Sequence, residues 1–303
     1  MNNLLAQKFN CSIALILAVF LFQSCGIKDL RTTAIKRNGI QATNIEKGKR
    51  LLDKAWKAQG MDKLSNFKTY SFNGKDTWKG MMGSMGKVWK DKQSEVAFKY
   101  RVKTFDGQVS FLDGKDKGTS SGLQNWNYYD VKNGQPLFSD KDKKENKRKV
   151  FGIAAYQFFT EMVDRLRNAP IIIYAGEKEF RGQKYDLVFC TWHKPEPHME
   201  NDQYIGWINQ KTGLLDFAEY TLRESYLKPP GYKKVGGGVE FTDFREIDGI
   251  LVPHQQIIYA LKLRKNPKKH LHELYLSDFQ FDDFEETELQ VNKKIPLGTA
   301  SKK

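Results

Sequence analysis

Apolar residues in this chain follow three patterns. Ser12–Phe22 is an unbroken apolar run (SIALILAVFLF). Two later segments repeat apolar positions every three or four residues, as amphipathic helices do. Elsewhere the chain alternates or runs apolar over short stretches broken by Gly, Asn, Asp and Pro, as strands and tight turns do.

The first helical segment carries Ile45, Leu52, Ala55 and Trp56 on one face. Thr43-Asn44-Ile45-Glu46 has the form of a capping box, and Gly60 supplies a stop, which predicts a helix over 44–59 and one more turn near 61–64. The second carries Phe151, Ala155, Phe158, Phe159, Met162, Val163 and Leu166, and Pro170 follows it. This predicts a helix over 151–168. Strands are predicted at 67–73, 86–90, 94–103, 108–112 and 123–131 before that helix. After it they are predicted at 171–180, 185–193, 204–210, 214–223, 239–247, 250–263 and 271–281. Connections of a few residues, such as Asp106-Gly107, Arg181-Gly182-Gln183 and Asp248-Gly249, only let the chain reverse locally, so neighbouring strands are antiparallel. A twisted meander this long curls rather than staying open. The expected fold is mainly β, with two or three helices: a single curled antiparallel sheet, a half-open β-barrel covered by helices. The charged run Asp140–Lys149 reads as a solvated loop, residues 27–41 as a polar tether without apolar period, and 282–288 and the segment after Pro296 as frayed.

The apolar run near the start changes the setting. At 11 residues it is short for a membrane span, which needs about 20. A single Lys8 before it and small residues after it make a secretory signal over 1–24. Phe22-Gln23-Ser24-Cys25-Gly26 resembles a bacterial lipoprotein box, in which the Cys is acylated and becomes the new N-terminus. That resemblance implies lipidation of Cys25, palmitate-type chains included, and attachment to a membrane; the residues after Cys25 do not separate inner from outer, and the outer membrane is the expectation. Of three cysteines, Cys11 lies in the signal and Cys25 takes the lipid, which leaves Cys190 with no partner for a disulfide. Removing 1–24 takes away Lys8 and no acid, leaving 49 basic against 36 acidic side chains. A basic body beside a lipid anchor is the two-signal arrangement for anionic membrane surfaces. Nucleic acid, the other partner such charge fits, is not expected for an exported protein. With 40% hydrophobic and 28% charged residues and a mean hydropathy of −0.62, neither a disordered chain nor a polytopic membrane protein is compatible. The organisation read from this is a signal (1–24), a tether (25–42), one domain (43–290) and a flexible tail (291–303), with a monomer expected.

Three stretches resemble a known family. Ala55–Leu64 followed by Phe67–Phe72, the hairpin Gly206-Trp207-Ile208-Asn209-Gln210-Lys211-Thr212-Gly213-Leu214, and the strand pair Phe241–His254 are similar to segments of LolA/LolB-like envelope proteins. The resemblance implies a half-open barrel closed by helices, with an apolar concave face that holds acyl chains or another hydrophobic ligand. The motifs are structural and carry no catalytic residue.

Trp126, Tyr128, Phe189, Trp207, Phe217 and Tyr259 are the strand aromatics that such a cavity would use, with Phe158, Phe159 and Met162 as the helical side. Core packing is the alternative, since a hollow barrel and a filled one need similar residues. The long basic loop 225–238 reads as a flap at the barrel mouth or as plain solvated loop. His193, His198, Glu196 and Cys190 are zinc-type ligands in a spacing that matches no established site, so no metal or other cofactor is expected. G-x-S-x-G, H-E-x-x-H, a Walker loop and G-x-G-x-x-G are all absent from the sequence, and no enzyme is expected. The rival class is a scaffold or sensor that binds an envelope partner through basic loops at 140–149 and 263–270.

Overall fold

The computed structural model describes residues 26–226, 228 and 231–300. The signal, Cys25 and the last three residues lie outside them. Thirteen strands form one antiparallel sheet: β1 (Thr69–Trp78), β2 (Gln93–Arg101), β3 (Gly107–Phe111), β4 (Ser120–Gln124), β5 (Asn127–Lys132), β6 (Gln135–Phe138), β7 (Ile171–Phe180), β8 (Gln183–Thr191), β9 (Gln203–Asn209), β10 (Leu215–Thr221), β11 (Gly236–Ile247), β12 (Ile250–Ala260) and β13 (His272–Phe281). Their order is β6-β5-β4-β3-β2-β1-β13-β12-β11-β10-β9-β8-β7. Two meanders are therefore zipped together by one long-range pairing, β1 with β13, in which Tyr70 faces Phe281 and Trp78 faces His272. The sheet does not close, and β6 and β7 are its two edges.

Five α-helices occur among the described residues: α1 (Thr33–Asn38), α2 (Ala42–Ala58), α3 (Gly80–Gly86), α4 (Lys144–Thr160) and α5 (Met162–Arg167). Because α4 and α5 connect β6 to β7 along the chain, this pair bridges the open side of the barrel. A three-part polar contact ties α4 to the sheet. Tyr156 donates its phenol proton to Asp76 on β1, and Asp76 also takes His272 Nε2 of β13 at 2.8 Å. The Trp78 ring stacks on His272 at 4.1 Å. All three polar groups are buried, so each needs the others. Tyr100 Oη donates to Ile153 O at 2.9 Å, and Gln157 Nε2 donates to Arg101 O at 2.7 Å, pinning the same helix face.

Several elements depart from the expectations. Helix α4 begins within the charged run, at Lys144, where Lys149 pairs with Asp130 at 3.0 Å. The helix expected over 151–168 is two helices, interrupted at Glu161, whose carboxylate holds Arg165 at 2.7 Å and accepts the Lys103 amide at 3.0 Å. Residues 86–90 are not a strand: their neighbours 80–86 form α3. The stretch 123–131 is two strands, because Asn125 and Trp126 both have positive φ and turn the chain tightly between them. Helix α2 starts at Ala42, without the expected side-chain cap. The residues read as a tether are partly ordered: Ile35 of α1 is buried, and Leu30 N donates to Gln203 Oε1 at 2.9 Å. The acidic segment also packs, with Leu289 buried and Gly298 N donating to Asp106 at 2.6 Å. Side-chain and backbone partners far along the chain fix these stretches, and local periodicity carries no trace of that.

The edge strand β7 is covered by α2. A Cβ at Gly48 would lie 2.8 Å from Tyr174 N and 3.0 Å from Ile173 C, so helix and strand backbones touch there. Covering an edge in this way blocks further strand pairing. Gly48→Val should lower stability by about 1–3 kcal/mol through overpacking. Chemical denaturation checks this, and an unchanged midpoint would mean that α2 does not sit on β7.

Candidate functional site: a cavity beside helix α4

Helix α4 is apolar on two faces. Gly152, Ile153, Tyr156 and Gln157 face the β1–β3 side and are buried. Phe151, Ala154, Ala155 and Phe158, spaced i, i+3, i+4, i+7, face the other way. That second face forms one wall of a cavity of about 710 Å³. The size lies within the range of small-molecule sites, about 300–1,000 Å³. The facing wall is Tyr204 of β9 and Tyr220 of β10. Phe158 meets Tyr204 at 5.4 Å between ring centroids, and Phe159 meets Tyr220 at 5.7 Å. Phe105 and Trp126, 4.9 Å apart, close one part, and Phe151 with Tyr226, 5.1 Å apart, another. Lys141, Lys147 and Lys228 stand at the rim, all exposed. Burial pushes the Tyr204 and Tyr220 phenols well above their ordinary range, so both stay neutral.

The polar part of the lining centres on Asp202. Its Oδ1 accepts from Thr221 Oγ1 at 2.6 Å and from Arg223 N at 2.7 Å. Burial, with a contribution from the Glu224 charge, pushes its carboxyl up to about 6. A second, very small void of about 10 Å³ lies among Met61, Leu64, Tyr70 and Phe279. On the β1, β2 and β13 side Tyr70, Phe72, Phe98, Leu274 and Leu276 are buried in the main core.

The nine aromatic and Met residues named from sequence separate into three groups. Trp126, Phe158 and Phe159 line the cavity. Trp126 does so from a turn and not from a strand. Tyr128 and Met162 are buried in the main core, Tyr128 donating to Asp130 Oδ1 at 2.7 Å, and neither reaches the cavity. Phe189, Trp207, Phe217 and Tyr259 are placed on the opposite face of the sheet, in a separate cluster with Ile35, Phe180, Tyr185 and Leu263. Trp207 there contacts Phe180 at 5.4 Å and Phe217 at 5.8 Å. The reason is that β8–β10 are apolar on both faces: Tyr204 and Ile208 point in, and Ile205 and Trp207 point out. Alternation then marks two faces without telling which is concave. Tyr204, Tyr220, Phe105 and Tyr226 were not singled out from sequence, and Phe151 was named only within the apolar stripe of the second helix; its i, i+3, i+4, i+7 set with Ala154, Ala155 and Phe158 is the signal for the cavity wall.

His193 and His198 share Glu200 at 3.4 and 3.7 Å, but neither these nor any other three such side chains among the described residues are placed to hold a metal ion. Cys190 is buried and free, and burial pushes its thiol up.

Asp202 yields a pH dependence. Its folded value, about 6, is above its unfolded value, 3.8, so the folded state keeps a proton the unfolded state has lost. Stability should fall as pH rises from about 4 to 6.5, by about 3 kcal/mol, and then level off. In Asp202→Asn that decline should vanish from the pH profile of thermal unfolding. An equal slope in both proteins would show that Asp202 titrates normally.

Comparison with solved structures places this geometry among known folds. A domain from Vibrio parahaemolyticus assigned as an outer membrane lipoprotein-sorting protein aligns with a TM-score of 0.52 and 12% identity, over 83% of this chain and 99% of that one. A DUF1329 family protein from Desulfovibrio piger aligns with a TM-score of 0.49 and 13% identity, over 83% and 98%. The LolA superfamily protein NE2245 from Nitrosomonas europaea aligns with 0.48 and 13%, over 82% and 98%. No protein-family model and no curated protein sequence matches the chain. The curled, unclosed sheet bridged by helices is a LolA/LolB-like fold.

Proposed function

We propose that this is a cell-envelope protein, anchored through an acylated Cys25, that holds an acyl chain or similar apolar molecule non-covalently in the cavity beside α4. One observation carries the reading. The helix that bridges the barrel pins one apolar face to the sheet and leaves the other lining open space of about 710 Å³. Each buried methylene of a bound chain would contribute about 0.8 kcal/mol. The lysines at the rim leave the polar end of such a molecule near solvent.

The test is solvent extraction and lipid analysis of the protein purified from its own cells. A stoichiometric apolar compound is expected, together with an acylated N-terminal peptide beginning at Cys25. In Ala155→Trp an indole fills the cavity wall, and the compound should fall at least about fivefold while the fold persists, as burial of several methylenes is lost. A protein that carries no such compound, or an Ala155→Trp variant that carries as much, would contradict the binding reading. An unmodified Cys25 would remove the anchor alone.

A further inference from the structure

Helix α3 is inverted in its packing. Its sequence, GMMGSMG, turns glycine toward the protein: a Cβ at Gly83 would lie 3.1 Å from Trp78 C and 3.3 Å from Leu271 O, and Gly86 sits against the Trp78 ring. Met81, Met82 and Met85 are left outside, 79%, 52% and 50% exposed. Of the other large exposed apolar side chains on the described surface, Leu137 and Phe138 lie together on the edge strand β6 and the rest stand singly along the chain, whereas these three share one short helix. Folding gains nothing from methionine at these sites, and an exposed apolar cluster marks an interaction surface. Met suits a surface without fixed shape.

Backbone and side-chain contacts gather several further segments round α3. Lys79 N donates to Leu271 O at 2.8 Å, which sets the β12–β13 loop beside it. Leu261 N donates to Gly236 O at 2.9 Å, joining that loop to the first residue of β11. Tyr226, part of the cavity wall, donates to Gly86 O at 2.7 Å. Lys28 N donates to Lys233 O at 2.8 Å, so the described chain begins at this same end. Residues 79–87, 228, 231–235 and 261–271 contain ten Lys or Arg and no Asp or Glu. Lys262, Lys265, Lys268 and Lys269 are all exposed.

We infer that this end of the sheet is a docking face for an anionic lipid bilayer. The three methionines enter the boundary between headgroups and chains, and the surrounding lysines meet lipid phosphates. Apolar insertion combined with basic side chains is the chemistry of interfacial membrane binding. A bilayer is favoured over a protein partner because the charge is of one sign across three loops and the apolar residues protrude instead of forming a groove. The inference goes beyond the binding of an apolar molecule and does not depend on what the cavity holds. It fixes how the domain stands: α3 down, with the Tyr226 wall of the cavity next to the membrane.

The test uses the full chain in vesicles of phosphatidylglycerol and phosphatidylethanolamine, with a benzophenone amino acid at position 82 or, as control, at Lys211 in the β9–β10 turn. Photolysis should attach lipid at position 82 at least about tenfold more than at 211, and Met85 replaced in the same way should behave like 82. Replacing Lys262, Lys265, Lys268 and Lys269 by Glu, or using phosphatidylcholine vesicles, should cut the lipid adduct about tenfold. Equal labelling at 82 and 211, labelling indifferent to lipid charge, or attachment at 82 to protein in place of lipid would each overturn the inference. Lipid extraction of the unlabelled protein reports separately on the cavity, so the two readings fail independently.

Discussion

Everything in this fold depends on an unclosed sheet having to cover its own concave face. A meander of 13 strands twists and curls, and closure would bury its inner side without help. Here β6 and β7 do not pair, and the only chain joining them is the α4–α5 segment. That segment has to bridge the gap, and to stay there it is fastened by polar groups that are themselves buried. Tyr156, Asp76 and His272 form one fastening, and the Glu161 carboxylate, which holds Arg165 and accepts the Lys103 backbone amide, forms the other. Buried polar contacts of this sort are costly to leave half made, which gives the helix one position instead of many.

A cavity follows from that position. Held by its Ile153–Tyr156–Gln157 side to β1 and β2, α4 stands off from β9 and β10, where Phe158 and Phe159 reach across to Tyr204 and Tyr220 but Ala154 and Ala155 do not fill the space between. Small residues on a helix with two apolar faces make the room, while aromatic residues at the ends keep the walls apart. Asp202, raised in pKa by its burial, sits where the apolar wall gives way to a charged rim.

How far the sequence reached can be seen in particular residues. The order of most strands was legible because the turns at Asp106-Gly107, Arg181-Gly182 and Asp248-Gly249 announce reversals that only an antiparallel meander satisfies. The break at Asn125-Trp126 was hidden, since Trp is an unusual residue for a positive φ. The ordered state of 28–38 and 286–298 was hidden for another reason: Gln203, Arg223, Asp106 and Gln124 hold those stretches from far along the chain. In the cavity, Phe158, Phe159 and Trp126 were reached, whereas Phe189, Trp207, Phe217 and Tyr259 were assigned to a face they do not occupy. Strands buried on both sides have no polar face to orient them, and the docking of Leu30, Ile35, Ile45 and Leu263 covers the second apolar layer.

Trp126 gives the most direct measurement of the central claim, because it is the one tryptophan of the six in the chain that lines the cavity. Adding a fatty acid brominated along its chain to the delipidated protein should quench a saturable part of the tryptophan fluorescence. In Trp126→Phe that part should be gone, with the emission of the other tryptophans unchanged. Equal quenching in both proteins, or none in either, would mean that no acyl chain enters the space beside α4.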